Sequence, residues 1–347
     1  MPLVRDGTDA GLSFKDRVRT AIRKPRVPAQ VRARFRPLTA EMQAAIESSL
    51  RTHFFAEENG SKGSAEAYLA TPEGKADFDD HLTGRLQQFR TWVVSWLDSL
   101  FRLDGAQILE IGCGTGASTV ALSEQGAQVV GLDVSGAALA SARDRCSAYG
   151  LQPKFVQANA MDMPSLFTDE RFDAILFFAV VEHLTWEERI RSLRAAWELL
   201  PAKGTLVVIE APNRLWYVDI HTTDEPFYNW LPDEAAIAYT RYIGGPSRHL
   251  FTEAADEAKV HLARLGRGVS YHDFVVAWNI PAGQLPVLGC MASFHETMWG
   301  KALTQLSPGG RYRKLLASAA PDVHPAFLEP CLDVAFRRNE ADGQVLI

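Results

Sequence analysis

Gly112, Gly114 and Gly116 stand in the run Ile108-Leu109-Glu110-Ile111-Gly112-Cys113-Gly114-Thr115-Gly116, directly after an apolar strand pattern and before a helical one. Glycines let the backbone turn tightly and come close to a ligand, while the N-terminus of the next helix offers amide donors that lack partners. Asp133 closes the following strand pattern, where a carboxylate accepts hydrogen bonds from both ribose hydroxyls of an adenosine-containing ligand. Gly112, Gly114 and Ala117 also satisfy the G-x-G-x-x-G/A fingerprint of nicotinamide enzymes, so the loop alone leaves the ligand open. The plainer reading is a tight turn that binds nothing.

A second group has acid–base character. Glu182-His183 follows the fourth strand pattern, on the carboxyl side where open α/β sheets bind ligands, and an imidazole there can take a proton from a hydroxyl. Its plain alternative is that the pair only orients the turn. Between Trp216 and Pro232, five aromatics (Trp216, Tyr217, Phe227, Tyr228, Trp230) lie among polar groups that include His221. Aromatic faces with a few convergent polar groups suit a small-molecule pocket, which makes His221 a second base candidate; a subsidiary core with a hydrogen-bonded histidine is the alternative. Arg85 and Arg90 precede the sheet and could reach a ligand carboxylate, His249 could border an acceptor, and His261 and His272 have no evident partner in the sequence.

The elements that must hold these residues begin at Gln107, where short apolar runs alternate with helical stretches as in a parallel sheet with crossover helices. Strands are expected at 107–111, 128–132, 154–157, 174–178 and 205–209, with helices at 119–125, 136–149 and 186–200. Ser135 is a cap candidate, and Thr185 with Glu188 forms a capping-box signature. Upstream, helices are expected at 41–55, capped by Thr39, and at 78–101. Downstream, a long insertion after Pro212 is a candidate lid. Then come a helix at 253–265, a strand at 269–278, a helix at 298–306 and a last strand at 331–336.

The chain has 347 residues with 36 Lys and Arg against 42 Asp and Glu, a net charge of −6. That balance gives no global attraction for nucleic acid. The first 37 residues are the exception: ten basic side chains face Asp6, Asp9 and Asp16 only. Pro25, Pro28 and Pro37 make this an extended, partly disordered arm in expectation, suited to weak docking on an anionic surface. Four scattered cysteines give neither a zinc motif nor a disulfide framework, and no apolar run is long enough to span a bilayer. A cytoplasmic protein is expected.

Over roughly residues 107–213 the chain resembles the class I S-adenosylmethionine-dependent methyltransferases. Glu110 to Gly116 looks like that family's first motif and Asp133 its second. Asn159-Ala160, within Ala158-Asn159-Ala160-Met161-Asp162-Met163-Pro164, resembles the third; the run Phe172 to Leu184 resembles the fourth, and Leu199 to Leu206 the turn before the fifth strand. The resemblance implies an α/β, Rossmann-like, seven-stranded and mostly parallel sheet with helices on both faces, its last strand antiparallel. It implies S-adenosyl-L-methionine as cofactor, held by Glu110, Gly112, Cys113, Gly114, Gly116, Asp133, Asn159, Ala160, Asp162 and Phe178. Similar quinone-pathway enzymes carry a further Glu upstream of such a Glu-His pair and bind a metal there; Ala179 occupies that position, so no metal is expected.

The expected layout is a basic arm (1–38), a helical extension (39–104), a cofactor-binding core (105–213), an inserted acceptor or lid segment (214–268) and a completion of the sheet (269–347). The expected reaction is O-methylation of a small-molecule or glycan hydroxyl, with His183 or His221 as base and Glu182 beside them. N- or C-methylation, a non-catalytic adenosine-ligand module and a nicotinamide dehydrogenase are the rivals. A homodimer through the extension or the insertion is compatible with the sequence, which fixes no symmetry.

Overall fold

A computed structural model describes residues 25–58, 64–243, 255–297, 305 and 307–339. Seven strands form one sheet: β1 (Gln107–Ile111), β2 (Gln128–Asp133), β3 (Lys154–Gln157), β4 (Ala174–Phe178), β5 (Thr205–Pro212), β6 (Val287–Cys290) and β7 (Cys331–Arg337). Their order is β3-β2-β1-β4-β5-β7-β6. β1 to β5 pair in parallel, and β7 runs antiparallel to both β5 and β6. The fold is therefore the α/β, mostly parallel seven-stranded sheet expected.

This order places the chemistry. β1 has β2 on one side and β4 on the other, so the connections leaving it diverge and open a crevice beyond its carboxyl end. Ile111 lies opposite both Leu132 and Phe177, which brings the glycine loop, Asp133 and the turn after β4 side by side.

Both faces of the sheet are covered, as alternate strand residues require. Leu109, Ile111, Ile175 and Phe177 face one apolar cluster with the helices Trp186–Leu199 and Tyr271–Trp278. Ile108, Ala174, Leu176 and Phe178 face the other, with Ala117–Glu124, Gly136–Ala148 and the N-terminal helices. Those N-terminal helices follow two unbroken paths, 40–58 and 72–100, with π-helical turns at Leu50–Phe54, Asp80–Gly84 and Phe89–Val93. Thr39 and Ser135 cap their helices, and Thr185 and Glu188 form the full capping box.

Three expectations need correction. Residues 269–278 form no sheet strand: after a single bridge at Val269, the helix Tyr271–Trp278 begins at a capping box of Ser270 and Asp273. Phe274, Ala277 and Trp278 share its buried face, and Trp278 stacks on Trp197 with ring centres 4.2 Å apart. The sixth strand is instead Val287–Cys290, short and half buried. Finally, residues 25–38 are packed: Val31 is buried, Arg36 Nη1 donates to the carbonyl of Tyr149, and Arg34 Nη1 to that of Gln125. Arg5 to Lys24, His249 and most of the expected helix 298–306 lie outside the described residues. Among the described residues no helix is long and apolar enough to cross a membrane.

Candidate active site

The glycine loop is shaped by backbone that only glycine adopts comfortably. Gly112, Gly114 and Gly116 have φ of 70°, 49° and 77°, in the left-handed region. A Cβ on Gly112 would collide with Val180 Cγ2, so this residue also lets the turn after β4 close against the loop. Beside Gly114 the corresponding space is empty of protein atoms within 4 Å. Asp133 fixes the neighbouring edge: Gly114 N donates to its Oδ2 and Ser135 N to its Oδ1, both at 2.9 Å.

Glu110 is turned inward. Its carboxylate is fully buried and accepts from the hydroxyls of Ser118 and of Thr119, the latter at 2.6 Å. Burial pushes its pKa up to about 7 against the pull of these donors. It braces the junction of loop and helix from beneath. Cys113 is likewise buried in the loop, its thiol pushed well up by burial. Asn159 Oδ1 accepts from Met161 N at 2.9 Å and so caps the turn Ala160–Asp162 after β3; Ala160 is buried and Asp162 exposed. Phe178, at the end of β4, packs edge-to-face on Phe89 of the N-terminal helices at 4.7 Å.

A buried arginine ties those helices to the loop. Arg145 donates to three carbonyls, those of Thr115 (2.8 Å), Leu82 (3.0 Å) and His81 (2.5 Å). Desolvation lowers its pKa to about 10. His81, whose Nδ1 lies 3.2 Å from Thr115 Oγ1, is held neutral by burial, with its pKa lowered to about 2. No sequence signal marked either residue, because the contacts that join each to the loop span 30 or more positions. Of the two expected arginines, Arg90 is committed to a buried ion pair with Glu124, and Arg85 pairs with Asp80 at 2.9 Å. His272 accompanies Ser270 at 3.1 Å and stacks on Tyr271.

Across the crevice the structure brings Glu182, His183 and His221 together. β4 is followed by Ala179, at φ 52°, and then by the turn Val181–His183. Glu182 is 1% exposed; its Oε1 lies 3.9 Å from His183 Nε2 and 4.0 Å from His221 Nε2, and the two imidazole rings are 5.2 Å apart. His183 Nδ1 donates to the carbonyl of Arg264 at 2.8 Å, which leaves the Nε2 lone pair directed at the cluster. Desolvation lowers the pKa of His183, which favours the neutral ring.

The turn is anchored by Arg189, which donates to Val181 O (2.9 Å) and Gly268 O (3.2 Å), and by Arg267 N, which donates to Glu182 O at 2.9 Å. His221 sits on a loop wrapped around the buried carboxylate of Asp219, which accepts from His221 N, Thr222 N, Thr223 N and Asn229 Nδ2. Asp219 and Arg189 were missed because nothing local in the sequence distinguishes them from ordinary turn and helix residues.

Comparison with known proteins shows what the cofactor-loop segment resembles. Residues 108–204 match a family model described as a methyltransferase domain. A ubiquinone biosynthesis O-methyltransferase of Stutzerimonas stutzeri is 34% identical over 91 residues, 26% of this chain and 39% of that protein. A demethylmenaquinone methyltransferase of Thermus thermophilus is 36% identical over 109 residues, 30% of this chain and 47% of that protein. The chain thus spans less than half the length of these curated relatives. A crystal structure of magnesium protoporphyrin IX methyltransferase from Synechocystis with bound SAM is 21% identical, with TM-score 0.36, covering 52% of this chain and 80% of the other. The segment 108–204, set in the seven-stranded sheet, is thus similar to a methyltransferase domain.

Proposed function

We propose that this protein transfers the methyl group of S-adenosylmethionine to a hydroxyl of a small-molecule or glycan acceptor. The observation that carries the reading is the convergence of Glu182, His183 and His221 on the turn whose Val180 touches Gly112 of the glycine loop. An acid–base cluster thereby stands beside the cofactor's loop. The naming of one relative as an O-methyltransferase supports the same acceptor atom.

The residues present suit the cofactor. The loop from Gly112 to Gly116 is open at Gly114, Asp133 lies beside Gly114 and would take the ribose hydroxyls, and the turn of Asn159, Ala160 and Asp162 would meet the adenine edge. When bound, S-adenosylmethionine supplies an electrophilic methyl carbon on a sulfonium, and the C–S bonding pair leaves with sulfur, which becomes neutral. The chain's own work is placement of the acceptor oxygen in line with that carbon, which supplies much of the rate. His183 or His221 receives the acceptor's proton as the oxygen bonds to carbon, and the Glu182 carboxylate stabilises the imidazolium so formed. The five aromatics of 216–230 provide apolar walls for the acceptor, with Trp216 and Tyr228 buried and Phe227 and Trp230 half exposed.

The test is calorimetric titration with S-adenosylmethionine and with NADH, followed by a screen of phenols, catechols, amines and glycans for S-adenosylhomocysteine release. Sulfonium binding that Asp133→Ala weakens, with turnover on hydroxyl acceptors, is expected. Turnover on amines alone would replace the acceptor class; binding of NADH without S-adenosylmethionine would overturn the reading.

A further inference from the structure

We propose that Glu182, His183 and His221 form a binding site for one divalent first-row transition cation. The inference rests on the proposed function for the position of the acceptor only and changes its base: with the imidazole lone pairs on a cation, the acceptor's proton leaves a cation-bound oxygen for solvent, and cation binding is measured independently of that reading. His221 supplies what Ala179 cannot, a third donor, and it arrives from the loop after β5, 38 positions beyond His183.

Two features of the cluster carry the inference. First, the donor atoms of the three residues all lie within 4.8 Å of one another, and no other group of three His, Cys, Asp or Glu side chains among the described residues does so. Metal–ligand bonds of about 2.0–2.2 Å place donors about 3–3.5 Å apart, so the observed 3.9 and 4.0 Å describe a set slightly open, which side-chain rotation closes. Second, the His183 tautomer is fixed by its Nδ1–H bond to the carbonyl of Arg264, the outer-shell arrangement that aims a ligating Nε2.

The ligand types select the ion. Two imidazoles and one carboxylate suit Zn²⁺, Mn²⁺, Fe²⁺ or Ni²⁺, whereas Mg²⁺ and Ca²⁺ prefer all-oxygen shells. Three protein ligands leave coordination positions open, and His183 and His221 are 37% and 23% exposed. An acceptor hydroxyl occupying an open position would lose its proton more readily, because a bound cation lowers the pKa of a coordinated oxygen acid.

The experiment titrates chelator-stripped full-length protein calorimetrically with Zn²⁺ and with Mg²⁺, and follows Mn²⁺ binding by electron paramagnetic resonance. One Zn²⁺ per chain is expected, with affinity reduced at least tenfold in both Glu182→Gln and His221→Ala, unchanged in the surface variant His53→Ala, and with Mg²⁺ bound far more weakly. S-adenosylmethionine titration of each variant shows whether it is folded and separates this test from failure of the methyltransferase reading. Absence of Zn²⁺ and Mn²⁺ binding in the parent protein, or binding that both site variants retain in full, would overturn the proposal.

Discussion

The Gly266 backbone lies against the His221 ring so closely that a Cβ at position 266 would sit 2.7 Å from both Cε1 and Nδ1. Gly266 also has φ 107°, a conformation that L side chains rarely adopt. Gly266→Ala is therefore expected to displace the imidazole. Misplacing a reacting group by about 1 Å can cost about a hundredfold in rate. Methyl transfer should fall at least tenfold while S-adenosylmethionine affinity stays within about twofold. Equal loss of both would show that Gly266 serves the whole fold and not the ring.

Asp219 is a positioning residue for the same histidine. Its carboxylate gathers the amides of His221, Thr222 and Thr223 together with the hydroxyl of Thr223. Asp219→Asn keeps an acceptor oxygen and should retain a measurable fraction of kcat; Asp219→Ala leaves buried donors unpaired, at about 1–3 kcal/mol each. The ordering wild type, Asn, Ala in kcat, with KM for the cofactor unchanged, checks the role. Identical behaviour of the two variants would contradict it.

Arg145 joins the glycine loop to the N-terminal helices through three carbonyls. Arg145→Met removes all three donors, so unfolding stability should drop by about 3 kcal/mol. Because Thr115 lies within the loop, the Kd for S-adenosylmethionine should rise about tenfold at a temperature where the variant is folded. Denaturant melts and calorimetry on the same samples read both effects.

Glu110 gives a pH signature. Its carboxyl is raised from 4.5 to about 7 by burial, so the folded protein holds a proton that the unfolded chain releases above about 4.5. Its stabilising contribution is therefore full below pH 4.5 and is lost as pH rises through 7; a shift of this size corresponds to about 3 kcal/mol. Glu110→Gln should flatten stability between pH 5 and 8 relative to the parent. Parallel pH profiles for the two proteins would remove Glu110 as the cause.

The cofactor half of the site was legible in the sequence because its determinants are local. A strand, a left-handed glycine turn and a helix N-terminus are consecutive in the chain, and Asp133 needs only the parallel pairing of β1 and β2 to meet Gly114. β1, β3 and β4 occupy the expected residues, and β2 and β5 begin where expected and run one and three residues longer. Caps at Thr39, Ser135 and Thr185 were legible for the same reason, since a side chain bonding three residues ahead depends on little else.

Tertiary structure decided what depends on distant packing. The apolar run 269–278 holds β-branched and aromatic residues that suit a strand, yet the Ser270–Asp273 box and the Trp197 surface make it a helix. β6 is too short and too exposed to announce itself, and exists through its pairing with β7. The meeting of His221 with Glu182 belongs to the same class. No periodicity links positions 182 and 221; their proximity follows from the bridge of Asn213 to Val269, the glycine at 266 and the buried carboxylate of Asp219, which together fold the loop after β5 back over the end of β4.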